Sequence, residues 1–340
     1  MLVSSSWLDR NGRRTIPKRW STKDLRVIEA PKPGRSGHGA FVFTDDYSVF
    51  HFSKMPDQIP DKGEVIARMA VATLREAAKA GVPTHLIAFD PPRSINVRLL
   101  NVLDPAHGEL HEGDRARLIP LQVIYRNMLP QGASVYRRLA AGKVTLEELG
   151  LEALPEANTW LAEPIIEFTT KLEEIDRFIP ADEAREIARL DAEDFATVRE
   201  LTLHTNAVVC SLAARCGLIC ADGKVEYGVD DDGRIMLVDV AGTPDENRFL
   251  LAGRHVSKQP LRDYYLTHDL ERQVQKLVAA GVPREKWARP ERLPVDLLAA
   301  VAEMYRALCE SWTGQTVWGA RPLDEAVEEV DRVLIRHLAA

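Results

Sequence analysis

Four cysteines in 340 residues are too few to carry a scaffold. Cys210, Cys216, Cys220 and Cys309 form no C-x-x-C pair, so neither a zinc site nor a disulfide framework is indicated, and reduced thiols are the default. Long apolar runs are also missing. No run approaches the roughly eighteen residues that read as a membrane span, and the opening stretch MLVSSSWLDRNGRR lacks the apolar region of a signal peptide. The expectation is a cytoplasmic protein with no membrane partner. Excess positive charge is absent too: the formal net charge is -7, which leaves no basic field for nonspecific nucleic-acid binding. Any cationic site must therefore be local. Repeats, low-complexity tracts and sustained heptads are not found. What remains is an ordinary soluble composition, 45% apolar and 28% charged. The length allows one large domain or two ordinary ones with a sizeable core.

The most informative stretch runs from Gly217 to Arg248. Residues 218–228 have strand-like composition and 234–240 form a second apolar run, with Asp232-Gly233 between them as a two-residue hairpin signal. If that pair makes the turn, Asp231 faces Arg234, and counting outward sets Glu226 opposite Asp239. Lys224 shares a face with Glu226. Facing carboxylates with β-carbons roughly 5 Å apart repel and call for a cation between them. Mg²⁺, which takes oxygen ligands and can also hold nucleotide phosphates, suits that place. The plainer alternative is a solvated strand pair with incidental acids, and a longer turn would shift the register. A strand-surface acid is not core, so Glu226→Ala is expected to remove activity and spare the fold.

The rest of the chain surrounds this hairpin. Residues 1–30 are polar and basic (Arg10, Arg13, Arg14, Lys18, Arg19) and read as an arm or first strand. Gly34, Gly37 and Gly39 read as a loop before a β-rich run over 41–52, broken at Asp45-Asp46. Such a loop can cover phosphates with backbone N–H groups, although most are only turns. An amphipathic helix over 64–80 follows, with Ile66, Ala70, Leu74 and Ala77 on one stripe, ended by Gly81 and Pro83. Strands over 96–103 and 116–125 then suggest an antiparallel sheet with a helix on one side, the α+β pattern. The turn from Arg126-Asn127 to Gly132-Ala133-Ser134 can bind phosphate through guanidinium, hydroxyl and N–H donors, or can be a plain turn with a surface arginine. Residues 136–163 look helical and linking. A strand over 165–170 ends in Lys171, Glu173, Glu174 and Asp176. Asp191 is a good N-cap for a helix reaching about Cys216, with Gly217 as its stop. Its His204 reads as packed or solvated. Lys258 and Arg262 fall one helical turn apart, and helices over 270–279, 295–313 and 322–338 complete one continuous body.

In this order the motifs resemble the SAICAR synthetase family, over roughly residues 35–265. The family's D-x-K-x-E-[FY]-G looks like Asp222-Gly-Lys224-Val-Glu226-Tyr227-Gly228. Its D-E-x-x-T-P-D-x-x-R-[FW] looks like Asp239-Val240-Ala-Gly-Thr243-Pro244-Asp245-Glu-Asn-Arg248-Phe249. Its V-x-R-N…G-S is similar to Val123-Ile-Tyr-Arg126-Asn127…Gly132-Ala133-Ser134, its K-x-[DE] to Lys171-Leu-Glu173, and its K-[QD]-x-x-R to Lys258-Gln259-Pro-Leu-Arg262. Five motifs in sequence order make a specific match.

The resemblance implies an α+β, ATP-grasp-like two-lobed fold of antiparallel sheets with helices and extra C-terminal helices. The expected division is a β-rich nucleotide-binding lobe over 1–122, an α+β catalytic lobe over 123–265 and a helical extension over 266–340 packed on the body. The implied reaction is an ATP-dependent amide ligation of an imidazole-ribotide carboxylate to aspartate through an acyl phosphate, with ATP and Mg²⁺ as cofactors. Its partners are small molecules, with a homo-oligomer left open. By this carry-over Glu226 and Asp239 hold the metal. Arg126, Ser134 and Arg248 grip the ribotide phosphate, and Lys258 and Arg262 complete the anionic pocket. Gly37, His38, Gly39, Lys62, Lys171 and Glu173 fall on the nucleotide side. Lys224 is catalytic as a neutralising cation, and no residue stands out as the base, with Asp245 the nominal choice.

Departures from the family pattern accompany the match. The family's G-K-[AV]-[KR]-x-[VL]-[YF] aligns with Gly37-His38-Gly39-Ala40-Phe41-Val42-Phe43, so both basic positions are lost, and Arg35 and Lys62 are the candidate replacements. Val240 stands where an acid is usual, the loop after Arg126 is longer, and the tail beyond 265 exceeds the compact form. Three alternatives are therefore carried: the same chemistry on another heteroaromatic carboxylate or amine, as in nucleoside-analogue biosynthesis; a phosphotransferase similar to inositol polyphosphate kinases; and a non-catalytic nucleotide-binding relative.

Overall fold

Alternating apolar residues build two sheets, and the computed structural model of the protein sets a helix against each. It describes residues 22–339 apart from 51, 53, 131, 132, 174, 175, 284 and 285, together with the backbone of Val3–Ser4. The basic residues from Arg10 to Arg19 lie outside the described residues, as do Gly132 and Glu174.

The smaller sheet is antiparallel, in the order β1 (Lys23–Glu29), β2 (Gly37–Phe43), β4 (Ser94–Leu99), β3 (Leu86–Asp90). Phe41, Phe43, Ile95, Val97 and Leu99 point from it onto helix α1 (Lys62–Lys79), where Ile66, Ala67, Ala70 and Val71 complete a closed core. The predicted stripe of α1 is correct: Ile66, Ala70, Leu74 and Ala77 are all buried.

The larger sheet has ten strands among the described residues. Its centre is β7 (Ile219–Val229), whose first half pairs with β5 (Leu121–Met128) and β9 (Asn247–Leu251), and whose second half pairs with β8 (Ile235–Val238). β6 (Trp160–Thr170) extends it beyond β5. The strand predicted over 96–103 divides at Leu100: β4 stays in the small sheet and Asn101–Val102 joins the large one. The strand predicted over 116–125 divides at Pro120 into Arg117–Leu118 and β5.

Helix α4 (Ala192–Arg215), preceded by the short α3 (Ala181–Ala188), backs this sheet. It starts as expected, with the Asp191 side chain accepting from the Asp194 N–H at 2.8 Å, and it stops before Gly217, whose φ is 71°. Helices α5 (Gln259–Thr267), α6 (Leu270–Ala279), α7 (Val295–Thr313) and α8 (Leu323–Leu338) follow. The last pack onto the main core through Tyr305, Leu308 and Trp312 rather than forming a separate unit. The helix expected over 136–163 is mostly absent. Only α2 (Ser134–Ala140) forms, because Gly142 and Gly150 take left-handed φ of 63° and 69°, and Trp160 already begins β6.

The glycine loop is a second correction. Gly37 begins β2 and pairs with Leu99, Gly39 pairs on both sides, and only Gly34 is in a turn. A β-carbon on Gly37 would sit 2.5 Å from the Pro31 nitrogen, and one on Gly39 would sit 2.7 Å from the Arg26 carbonyl oxygen. These glycines serve close backbone packing. Gly37→Ala is expected to cost about 2–3 kcal/mol by overpacking against backbone. Gly34→Ala, with open space around it and a φ of 68°, should cost only about 1 kcal/mol. Urea unfolding of the two variants checks the order.

Candidate functional site

A cleft of roughly 1080 Å³ opens over the large sheet. Residues two apart on a strand share a face, so β7 presents Asp222, Lys224 and Glu226 in a row. Each gathers a different set of partners.

Asp222 is buried and holds two arginines from the flanking strands. Arg126 of β5 donates from Nη1 at 3.0 Å, and Arg248 of β9 donates from Nε at 2.9 Å. Arg126 also donates from Nε to Glu167 at 2.6 Å and from Nη2 to the Ser134 hydroxyl at 3.4 Å, and Arg138 ion-pairs with the other oxygen of Glu167. Two carboxylates thus orient a guanidinium whose outer edge faces the cleft beside Ser134, which is preorganisation for an oxyanion. Burial works against the Asp222 charge, yet Arg248 and Arg126 outweigh it and hold the carboxyl below its usual range. Asp222 and Glu167 are missed as site residues by sequence reasoning. Asp222 carried a signal as the first letter of a motif, whereas Glu167 carried none.

Glu226 is 2% exposed, which overturns its reading as a surface acid. Lys171 donates to its Oε1 at 2.6 Å and Lys224 at 3.4 Å, while Lys224 also pairs with Glu246 at 3.0 Å. Burial opposes the Lys224 charge, but Glu246 and Glu226 raise its pKa well above the usual lysine value. Lys224 is therefore a fixed cation. Removal of Glu226 would take a shared partner from the half-buried Lys171 and Lys224, leaving Lys224 with Glu246, so Glu226→Ala is a stability variant as well as a site variant.

The register of the hairpin is one residue off the expected count. The turn holds three residues: Asp230 donates its N–H to the Arg234 carbonyl at 2.9 Å, and Gly233 is left-handed with φ of 89°. The Asp230 carboxylate accepts the N–H groups of Asp232 and Arg234, both at 2.9 Å, which fixes the longer turn. Glu226 accordingly lies across from Val238, and Asp239 follows the end of β8 with φ of 62°. Even so, Asp239 remains close enough to oppose ionisation of Glu226. Asp239 ion-pairs with Lys23 of β1, and burial of its carboxylate is outweighed by Lys23 and Lys171, which keep it ionised. Three lysines from three segments thus neutralise two buried acids. A cation between the acids was expected, and the structure supplies ammonium groups.

The pair also suits a hard divalent ion. Glu226 Oε2 is buried with no hydrogen-bond partner among the described residues, an orphaned anionic oxygen of the type Mg²⁺ takes. No group of three or more His, Cys, Asp or Glu side chains with metal-holding placement occurs among the described residues, so the remaining ligands would come from phosphate oxygens and water.

On the other flank, Lys62 is buried and paired with Asp245 at 2.7 Å, so it serves Asp245 rather than the glycine strand. Burial of Asp245 is outweighed by Lys62 and Lys258, which hold its carboxyl low. Burial pushes Lys258 and Arg262 below their usual ranges, and neither closes an ion pair among the described residues. Of the predicted residues, Arg126, Ser134, Lys171, Glu173, Lys224, Asp245, Arg248, Lys258 and Arg262 line one cleft. Glu173 is exposed and pairs with Arg177 at 3.1 Å. Gly37, His38 and Gly39 lie in the small sheet outside that cleft, and Arg35 is exposed.

Comparison with known proteins agrees with the motif order. The SAICAR synthetase family profile matches residues 32–277. The chain belongs to the SAICAR synthetase family. A protein of Archaeoglobus fulgidus that carries the name phosphoribosylaminoimidazole-succinocarboxamide synthase provisionally is 35% identical over 92% of this chain and 99% of its own length. The Thermoplasma acidophilum protein of that name is 33% identical, covering 81% of this chain and 92% of its own. Among solved structures, the Saccharomyces cerevisiae SAICAR synthase complexed with SAICAR superimposes with a TM-score of 0.65 at 23% identity, covering 89% of this chain and 96% of its own. A SAICAR synthetase in complex with ADP gives 0.57 at 23% identity, covering 81% and 99%.

Within this family the departures now have physical counterparts. Lys23, on the strand beside the one that lost its lysines, stands 4.8 Å over the Phe41 ring and pairs with Asp239. Sequence reasoning passed over it, because only the pairing of β1 with β2 brings it there. Val240, in place of an acid, is buried in the core of the small sheet.

The carboxylates give a sign for pH dependence. Asp222, Glu226, Asp239 and Asp245 all have lowered folded-state values, so the stability they contribute is present above their ordinary values of 3.8 to 4.5 and is lost as pH falls through the lower folded ones. Asp222→Asn should cost about 3 kcal/mol at pH 7, because Arg248 loses its anion and Arg126 keeps only Glu167. That gap should shrink as the pH falls below the usual carboxylate range and wild-type Asp222 takes up its proton. Urea melts down a pH series measure it.

Proposed function

We propose that the chain joins the carboxylate of a carboxyaminoimidazole ribotide to the amine of aspartate, converting ATP to ADP and phosphate. The observation that carries this reading is the gathering, in one cleft, of a preorganised arginine clamp, a Lys258–Arg262 set with no ion pair among the described residues, and Lys171 and Lys224, the lysines that pair with the buried Glu226 behind the cleft wall. The SAICAR and ADP complexes of the structural neighbours support the same assignment.

A carboxylate resists attack by an amine because oxide is a poor leaving group. ATP converts it to an acyl phosphate, the amine attacks, and phosphate departs. Phosphoryl transfer of this kind depends on positioning and charge neutralisation. Arg126, Ser134 and Arg248 hold the ribotide phosphate, and the carboxylates of Asp222 and Glu167 keep the clamp in place before substrate arrives. Glu226 and Asp239 would hold Mg²⁺, which when bound neutralises the ATP phosphates. Lys171 and Lys224 add fixed positive charge beside the reacting carboxylate. Lys258 and Arg262 receive the carboxylates of the amino acid. Asp245, tied to Lys62, is a weaker base than a free carboxylate and is better suited to anchoring the substrate ammonium.

With ATP, Mg²⁺, the ribotide and aspartate together, ADP should form in step with the amide. ADP formation only with a different amine, or phosphate appearing on an alcohol, would contradict the proposal. Arg248→Ala is expected to raise KM for the ribotide roughly 10- to 100-fold, the loss of a charge-assisted hydrogen bond. Glu226→Gln, which preserves shape, should lower kcat about 100-fold or more. Steady-state kinetics with circular dichroism as a folding control checks both.

A further inference from the structure

The acid that follows β8 is held by a histidine the reaction does not use. Pairing of Glu226 with Val238 means that an extended backbone would turn the next side chain to the opposite face of the sheet. Asp239 instead takes a φ of 62°, a left-handed conformation uncommon outside glycine and visited mainly by asparagine and aspartate. Val238 before it packs with Leu100, Leu118 and Met236, and Val240 after it packs with the core of the small sheet. The left-handed step therefore carries the chain from one core to the other, with Asp239 at the crossing.

His85 pins that crossing. It is fully buried, and its Nε2 lies 2.9 Å from the Asp239 carbonyl oxygen. A carbonyl only accepts, so Nε2 carries the proton. The backbone of the same segment is clamped to β8: the His85 N–H donates to the Leu237 carbonyl at 3.0 Å, and the Leu237 N–H donates to the Pro83 carbonyl at 2.7 Å. Nδ1 has no hydrogen-bond partner among the described residues, so the ring contributes a single polar contact. The ring rests against Phe41 of β2, with centroids 5.7 Å apart.

We propose that His85 is a positioning residue: its Nε2–H holds the Asp239 carbonyl in the left-handed turn that keeps the Asp239 carboxylate beside Glu226. This rests on the reading of Glu226 and Asp239 as the acids that hold the metal of a bound nucleotide. The role is exerted through Asp239, and His85 itself touches neither substrate nor metal. Loss of the donor frees the turn, separates the two carboxylates and weakens their shared grip on a cation.

The test uses the full chain and measures ADP binding by calorimetry across a Mg²⁺ series, with no turnover required. In wild type, binding should require Mg²⁺. His85→Phe, which keeps an aromatic ring and removes the donor, should raise the Mg²⁺ needed for half-maximal binding about 10- to 100-fold, the usual range for losing the partner that orients a ligand. His85→Gln, whose amide N–H can reach the Nε2 position, should stay within about three-fold of wild type, while the shorter His85→Asn should behave like Phe. Nitrogen-15 spectra of the metal-free protein should show His85 as the neutral Nε2–H form. A folded His85→Phe protein with the wild-type Mg²⁺ requirement, or His85 in the Nδ1–H form, overturns the proposal alone. Should the Phe variant fail to fold, equal Mg²⁺ requirements for the Gln and Asn variants overturn it. Wild type that binds ADP with no Mg²⁺ requirement, or not at all, overturns the metal reading and the proposal together.

Discussion

Two buried carboxylates, Glu226 and Asp239, sit close enough to oppose each other's charge, and the fold around them is arranged to keep both ionised. Lys171 reaches Glu226 from just past the end of β6, Lys224 from the strand that carries Glu226, and Lys23 reaches Asp239 from β1 of the small sheet. Buried charges are tolerated only when paired, so the small sheet, the central strand and β6 are bound to one electrostatic knot. The link between the small sheet and the hairpin is reinforced at the turn, where the Ser36 hydroxyl donates to Asp231 at 2.5 Å. A nucleotide entering here meets acids already balanced by ammonium groups. On the proposed reading its phosphates would draw on the lysines, and the acids would hold Mg²⁺.

The second half of the site follows the same logic with different partners. Asp222, four residues before Glu226 on β7, spends its charge on two arginines and so fixes their outer edges. On the α5 side, Lys258 and Arg262 feel the charge of Asp245 but close no ion pair with it among the described residues, and their burial favours a further anion. The site is thus graded, from neutralised acids beneath the cleft through a primed arginine clamp to cations with no ion pair among the described residues. That grading suits a substrate set with several negative groups and one amine.

Much of this was legible from residue order. The capped helix from Asp191, the stripe on α1 and the C-terminal helices depended on local rules that the structure obeys. The motif residues of β7 and the loop after Asp239 came to one cleft because alternation on a strand is a local property. What escaped were the features set by tertiary contact. Asp230 bonded back to the chain and lengthened the hairpin turn by a residue, and Asp239 adopted a left-handed turn, so the expected proximity of the acids arose by a different route. Gly37 and Gly39 looked like a phosphate loop because glycine spacing does not distinguish an open loop from tightly packed strands. Lys23 and Glu167 carried no motif, and only strand pairing brings them to the site.

The central claim is that Glu226 and Asp239 form one cation-holding pair for a phosphate-bearing nucleotide. The most direct measurement is a crystal structure with Mg²⁺ and a non-hydrolysable ATP analogue. The account predicts a metal bound by Glu226 Oε2, the Asp239 carboxylate and phosphate oxygens, with Lys171 or Lys23 turned toward the phosphates. A nucleotide bound elsewhere, or bound with both acids still closed on their lysines and no metal between, would contradict it.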